Sequence, residues 1–106
     1  MTLSDPQIAA MAKALGHPAR IAILRTLMGR SCVCGEIVEV LPLAQSTVSQ
    51  HLKVLREAGW IVGVVEGPRS CYSIDCAAAA AFRLVLGPLL EQWAGAADCC
   101  GGSSCT

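Results

Sequence analysis

Two groups of cysteines are the residues of this chain whose spacing could support metal chemistry. Cys32 and Cys34 are separated by one residue, and Cys99, Cys100 and Cys105 lie close together near the end of the sequence. Thiolates are soft ligands that select soft ions, among them arsenic(III), antimony(III), cadmium, lead and copper(I). The sequence therefore predicts that one of these groups binds a soft metal or metalloid ion.

The two groups differ in how they could hold one ion. Residues two apart do not share a face of a regular helix, so Cys32 and Cys34 need a non-helical or distorted local backbone. The adjacent Cys99 and Cys100 can direct two sulfurs at one ion, and a flexible Gly/Ser link lets Cys105 return as a third ligand. Three thiolates suit the pyramidal preference of arsenic(III). A mixed site, with ligands from both groups and from either subunit, is a third possibility.

Other features of the sequence limit where the protein is expected to work and what its cysteines are expected to do. The N-terminus lacks a basic region followed by an apolar core, and no apolar stretch is long enough to cross a bilayer. We therefore expect a cytoplasmic protein without a membrane partner, in which seven cysteines favour metal or redox chemistry over disulfides. Cys71, on a predicted strand, and Cys76, at a predicted helix start, are assigned to packing.

The element that follows residue 43 has the pattern of a helix that lies in a DNA groove. Val48, Leu52 and Leu55 recur at spacings of four and three, which predicts a buried stripe, and Gly59 is the expected stop. Ser46 is the predicted N-cap. Short polar side chains crowd the first half of the helix, where a recognition helix meets base edges. The predicted DNA-binding residues are Gln45, Ser46, Thr47, Ser49, Gln50, His51 and Lys53, with Arg69 from a later turn.

The neighbouring segments complete a winged helix-turn-helix. Residues 35–41 form a shorter apolar helix, residues 42–44 form a turn, and the polar-faced helix follows. Strands over 60–65 and 71–74, joined by turn residues, predict a β wing whose tip carries Arg69 toward phosphate or the minor groove. The expected fold class is mainly α with a two-stranded β wing.

Helices flank this unit on both sides. Ser4 or Asp5 can cap a first helix, and Pro18 can begin a second. Asp75 can cap a last helix over 77–93, in which Pro88 predicts a kink or a break. The predicted organisation is a DNA-binding and dimerisation domain over 1–94, followed by a flexible Cys-rich tail over 95–106.

Composition adds two expectations. Hydrophobic residues make up 54% of the 106, which is high for a small domain and favours an apolar surface for dimerisation. The net charge of zero departs from the basic balance of most DNA-binding proteins and predicts modest non-specific affinity. Catalysis is not expected, because the chain has no Cys-x-x-Cys spacing, no Gly-rich phosphate loop and only two histidines.

Three motifs together resemble the ArsR-type (ArsR/SmtB) metalloregulatory repressors. They are Gly-His-Pro-Ala-Arg at 16–20, Cys-Val-Cys at 32–34 and the segment 46–59, and the similarity extends to Trp93. The resemblance implies a homodimeric winged helix that represses a resistance operon and leaves double-stranded operator DNA when a toxic metal or metalloid binds cysteines. It also implies base and phosphate contacts from Gln45 through Lys53, and a dimer interface of the first and last helices.

The resemblance also limits which ions are expected to act as the inducer. Cys-Val-Cys at 32–34 is the family's arsenic/antimony and cadmium/lead signature, although Ile37 stands where some arsenic sensors have a third cysteine. The tail cysteines look like the C-terminal cluster of other arsenic sensors. The last helix has no histidine of the kind that zinc, nickel and cobalt sensors use. We expect arsenic(III) or antimony(III) as inducer and no organic cofactor; a thiol-redox trigger or a cadmium/lead response of the same fold are the alternatives.

Overall fold

The structure is a computed structural model that describes residues 2–30, 32–66 and 69–95, with the backbone alone at 32–35, 40, 65, 66 and 69. Within these ranges, helices dominate and the strands form one small sheet, which confirms the expected fold class. In chain order the elements are α1 (Asp5–Ala14), α2 (Pro18–Thr26), β1 (Cys32–Val33), α3 (Cys34–Val40), α4 (Gln45–Ala58), β2 (Ile61–Glu66), β3 (Arg69–Ile74) and α5 (Cys76–Gly95).

The first two helices begin at side-chain caps. Ser4 and Gln7 form a capping box before α1, in which each residue bonds to the backbone of the other. His17 caps α2 because its Nδ1 accepts a hydrogen bond of 3.0 Å from the Ala19 amide, and Pro18 follows at the first helical position. Both helix starts therefore lie where the sequence predicted them.

The start of α4 differs from its prediction. The helix begins at Gln45 and its N-cap is Ala44, which has an extended backbone and no side-chain acceptor. Ser46 already lies inside the first turn, so its assignment as N-cap is wrong. The predicted stop is confirmed, because Gly59 ends the helix at φ +98°, a left-handed conformation that side chains disfavour.

The sheet contains one strand more than predicted among the described residues. The long antiparallel hairpin pairs β2 with β3 from Ile61↔Ile74 to Glu66↔Arg69, and this is the expected wing. The two-residue β1 adds to the other edge of β3, with Cys32 opposite Tyr72 and Val33 opposite Cys71. A two-residue strand is too short to show the alternation by which strands are recognised.

The core lies where α4 meets the other helices and the base of the wing. The predicted stripe of α4 is confirmed, and α4 packs against α1, α2, α3 and β2. At the start of the wing, Trp60 donates from Nε1 to the Met11 carbonyl at 2.8 Å, and its ring lies 5.0 Å from that of Phe82. The largest fully buried side chains are Ile23, Leu27, Ile37, Val48, Leu52, Leu55 and Ile61.

The last helix is a single element that continues through Pro88. Of the two outcomes predicted for Pro88, a break is therefore absent, and a kink stays a prediction. Asp75 caps the helix as predicted, since its Oδ1 accepts from the Ala78 amide at 3.1 Å. Ala78, Ala81 and Phe82 near its start are buried, whereas Leu84, Leu90 and Trp93 are 69%, 52% and 61% exposed. Among the described helices, none is long and apolar enough to cross a membrane.

Candidate nucleic-acid interface

The exposed side of α4 carries most of the residues that the sequence assigned to DNA binding. The members of this polar face are Gln45, Ser46, Thr47, Ser49, Gln50 and Lys53, all exposed. Beneath it, Val48, Leu52 and Leu55 are at most 1% exposed and anchor the helix in the core. Because the polar face belongs to one rigid helix, its donors and acceptors have a fixed spacing, as readout of base edges requires.

The N-terminal end of α4 adds a second feature suited to phosphate. The first amides of any helix lack intrahelical partners, and Ala44 has no side chain that could accept from them. These amides and the positive end of the helix dipole favour an anion. Ser46 and Thr47 in the same turn are exposed and supply hydroxyl donors. The start of α4 therefore has the chemistry to bind a phosphate beside the polar face, and readout of bases by that face stays a prediction.

His51 does not belong to this face. Its side chain is only 9% exposed, and its Nδ1 accepts a hydrogen bond of 3.2 Å from Nε of Arg20 on α2. The expectation that His51 contacts DNA is corrected, because the imidazole faces the protein interior. A signal for this was present in the sequence: residue 51 is three after Val48 and four before Leu55, on the buried stripe itself.

Burial and neighbouring charge both act on His51. Desolvation lowers the pKa of its imidazole below the usual value, and electrostatic interaction with His17 and Arg20 lowers it further. The His17 ring centroid lies 4.5 Å away. His51 is therefore held in its neutral form near pH 7, as its role as a hydrogen-bond acceptor requires.

The wing carries the last predicted DNA contact. Arg69 is the first residue of β3 and pairs with Glu66 at the far end of the hairpin. Its backbone is therefore at the tip of the wing, where the sequence placed it. Its side chain lies outside the described part of the structure, so contact with phosphate or the minor groove stays a prediction.

The first cysteine group lies at a change of backbone conformation. Cys32 is in β1, and Cys34 is the first residue of α3. The pair therefore does not lie on a regular helix, which is the condition under which residues two apart could share one ion. The helix that begins at Cys34, α3, packs directly against α4, which carries the polar face.

The other cysteines are placed as follows. Cys99, Cys100 and Cys105 lie outside the described residues, as does the predicted tail over 95–106 apart from Gly95, which is the last residue of α5. Cys71 is partly buried in β3, in keeping with packing, whereas Cys76 at the start of α5 is exposed, so packing does not account for it. Within the described ranges, no group of three or more His, Cys, Asp or Glu side chains could hold a metal.

Comparison with known proteins decides the family. The profile described as "Bacterial regulatory protein, arsR family" matches residues 17–61. The HTH-type transcriptional regulator YgaV of Escherichia coli is 39% identical over 72 residues, which is 67% of this chain and 73% of YgaV. The chain belongs to the ArsR family. Its matched relatives are transcriptional regulators, which agrees with the expectation that this ArsR-family protein is not an enzyme.

Two further similarities extend the comparison. The uncharacterised HTH-type transcriptional regulator YceK of Bacillus subtilis is 47% identical over 62 residues, 56% of this chain and 62% of YceK, so the match spans less than two thirds of that relative. A solved structure described as "Possible transcriptional regulator for arsenical resistance" superposes with a TM-score of 0.66 at 25% identity, covering 82% of this chain and 85% of that one.

Replacing Lys53 by Ala is expected to weaken binding to all DNA sequences and to reduce the salt dependence of affinity. Lys53 is exposed on the polar face, and each lost phosphate contact lowers the slope of log affinity against log salt by about 1. Fluorescence anisotropy at several salt concentrations measures the slope. Arg83→Ala, an exposed cation on α5, is the matched control. An equal change in both variants would argue against a specific role for α4.

Proposed function

We propose that this ArsR-family protein is a homodimeric repressor of a metalloid-resistance operon that leaves operator DNA when arsenic(III) or antimony(III) binds its cysteine thiolates. The observation that carries the proposal is the exposed polar face of α4 above a fully buried apolar stripe, within a helix-turn-helix and beside a β wing. The similarity to a solved structure described as a possible regulator for arsenical resistance supports the choice of ion.

The homodimer is supported by the apolar residues that α5 leaves exposed. Leu84, Leu90 and Trp93 would be costly to keep in water, since each buried large side chain is worth about 1.5–3 kcal/mol. A two-fold interface that covers α5 would present two copies of α4 to successive half-sites of DNA. The family resemblance assigns α1 to the same interface.

Leu90→Glu is expected to shift the protein from dimer to monomer, because a carboxylate would be desolvated at the proposed interface. Sedimentation velocity at micromolar concentration measures the change. Glu91→Gln, a neighbouring exposed position of the same helix, is the control that should leave the dimer intact. A monomeric wild-type protein, or a dimer that tolerates Leu90→Glu, would remove α5 from the interface.

The inducer site is proposed from the chemistry of the donors. Thiolates of the tail cysteines, of Cys32 and Cys34, or of both groups together would hold the ion, and soft thiophilic ions match this donor set. The pair at 32 and 34 adjoins the helix that supports α4, and the tail follows directly after α5. Each group is therefore adjacent in sequence to a helix whose position matters for DNA binding: α3 supports α4, and α5 belongs to the proposed dimer interface. A coupling of about 1–3 kcal/mol is sufficient for a useful response.

A thiol-redox trigger is the main competing function, because it needs the same fold and the same cysteines. The two are separated by titrating a complex with promoter DNA in two ways. Under reducing conditions, arsenite should release the DNA if the proposal is right, whereas a redox switch should respond only to peroxide without reductant. Release by peroxide alone would replace the proposed function with the redox alternative.

A further inference from the structure

Three helices meet at a polar cluster that the proposed function does not use. Arg20, in the first turn of α2, donates from Nε to His51 Nδ1 at 3.2 Å and from Nη1 to the Ala14 carbonyl of α1 at 3.4 Å. The His17 ring lies 4.5 Å from the His51 ring, at an interplanar angle of 51°. Arg20 therefore links the end of α1 and the middle of α4 to the start of α2.

Both imidazoles of this cluster act as acceptors. His51 Nδ1 accepts from Arg20, and His17 Nδ1 accepts from the Ala19 amide as the N-cap of α2. A neutral imidazole can accept at one nitrogen, but a protonated imidazole has only donors. The guanidinium stays charged throughout the accessible pH range, so Arg20 cannot change role. Protonation of His51 at Nδ1 would therefore set its N–H against the N–H of Arg20 and add positive charge beside the start of α2.

All the surroundings of His51 that affect its pKa lower it. Burial is the largest cause of the lowered pKa of His51, followed by electrostatic interaction with His17 and then with Arg20, which both come from the α2 side. From α1, the cluster receives the uncharged Ala14 carbonyl. A histidine whose folded pKa lies below its unfolded value stabilises the fold above about pH 6.5, and this contribution is lost as the pH falls through the folded pKa.

We propose that His17, Arg20 and His51 form a polar latch that holds α4 against α2 in its DNA-reading position, and that protonation of His51 opens it. The DNA part of this inference rests on the proposed function. Since α4 carries the polar face, a looser contact with α2 lowers the fraction of protein whose helices fit the DNA. Binding therefore weakens in mild acid.

The sign of the pH effect distinguishes the latch from a direct DNA contact. A histidine that touched phosphate would gain positive charge in acid and would tighten binding. The full-length protein is titrated by anisotropy with a duplex from the region upstream of its own gene, at pH 7.5 and pH 5.5 and constant salt. We expect weaker binding at pH 5.5, by at most about tenfold for one linked proton, because the pKa of His51 in the folded protein lies below its usual value of about 6.5. Equal or tighter binding at pH 5.5 would overturn the latch.

A double variant, His17→Asn with His51→Asn, provides the matched comparison. Asparagine places an acceptor oxygen near the position of Nδ1 and does not titrate in this range, and it is also a good N-cap. The ratio of affinities at the two pH values should fall to near one in this variant. A ratio unchanged from wild type would assign the pH dependence to other groups and contradict the latch.

A measurement without DNA keeps the inference independent of the proposed function. Histidine NMR signals of the free wild-type protein are followed from pH 8 to 5, together with its melting temperature. The latch predicts a His51 midpoint below that of an unfolded histidine and a melting temperature that falls in acid more steeply than in the double variant. A His51 midpoint at or above the unfolded value would overturn the latch, whereas a duplex that fails to bind at any pH would count against the proposed function alone.

Discussion

Replacing Cys99 and Cys100 together by serine is expected to abolish arsenite-induced release while leaving DNA binding intact. The pair supplies two adjacent sulfurs and, with Cys105, three thiolates for a metalloid whose preference is pyramidal. Serine is close to cysteine in shape but replaces the soft sulfur by a hard oxygen donor. The expected result is a titration in which arsenite no longer raises the fraction of free DNA. Anisotropy of a labelled promoter duplex, with reductant present, measures it.

Two further double variants give this experiment its controls. Cys71→Ser with Cys76→Ser removes the cysteines outside both groups and should respond to arsenite like wild type. Cys32→Ser with Cys34→Ser tests the other group, and a lost response there as well would indicate a mixed site. An unchanged response in the variant of Cys99 and Cys100 would exclude the tail as the inducer site.

Replacing Leu55 by Ala is expected to cost about 2–5 kcal/mol of unfolding free energy. Leu55 is fully buried on the stripe of α4, where that helix packs against its neighbours. The loss is a large part of the roughly 5–15 kcal/mol that stabilises a typical domain. Because the same stripe orients the polar face, we also expect weaker DNA binding at temperatures where the variant is partly unfolded.

Urea unfolding followed by the fluorescence of Trp60 and Trp93 measures this prediction. Met28→Ala removes the same number of side-chain heavy atoms from a residue that is 69% exposed and lies outside α5, and it is the control. It should change the unfolding free energy by much less than Leu55→Ala. Equal losses in the two variants would mean that the α4 stripe is not the core of the fold.

The helices of this protein were predictable because their signals are local. The α4 stripe shows as spacings of three and four, and the caps at Ser4 and Asp75 combine short polar side chains with a following apolar run. The Ser46 cap failed because several short polar residues stand in succession, so the composition does not mark which one precedes the helix. Ala44 takes that position through its backbone conformation alone.

Tertiary features were not predictable in the same way. β1 owes its existence to pairing with β3, which lies far along the chain, and its two residues have no periodicity of their own. His51 was assigned by its polarity, although its position on the buried stripe gave the opposite indication. Its partner Arg20 lies on α2, so neither the sequence of α2 nor that of α4 alone could predict their contact. Cysteine spacing predicts the class of ion, but the choice among the cysteine groups depends on how they meet in space.

Metalloid-induced release is tested most sharply by titrating the full-length protein bound to promoter DNA with arsenite, cadmium and zinc in parallel, with reductant present. The proposed function predicts release by arsenite at concentrations at which cadmium and zinc have little effect. Release by cadmium or zinc with no response to arsenite would contradict the proposed metalloid specificity. Release by none of the three would contradict the proposed trigger and leave oxidation as the next to test.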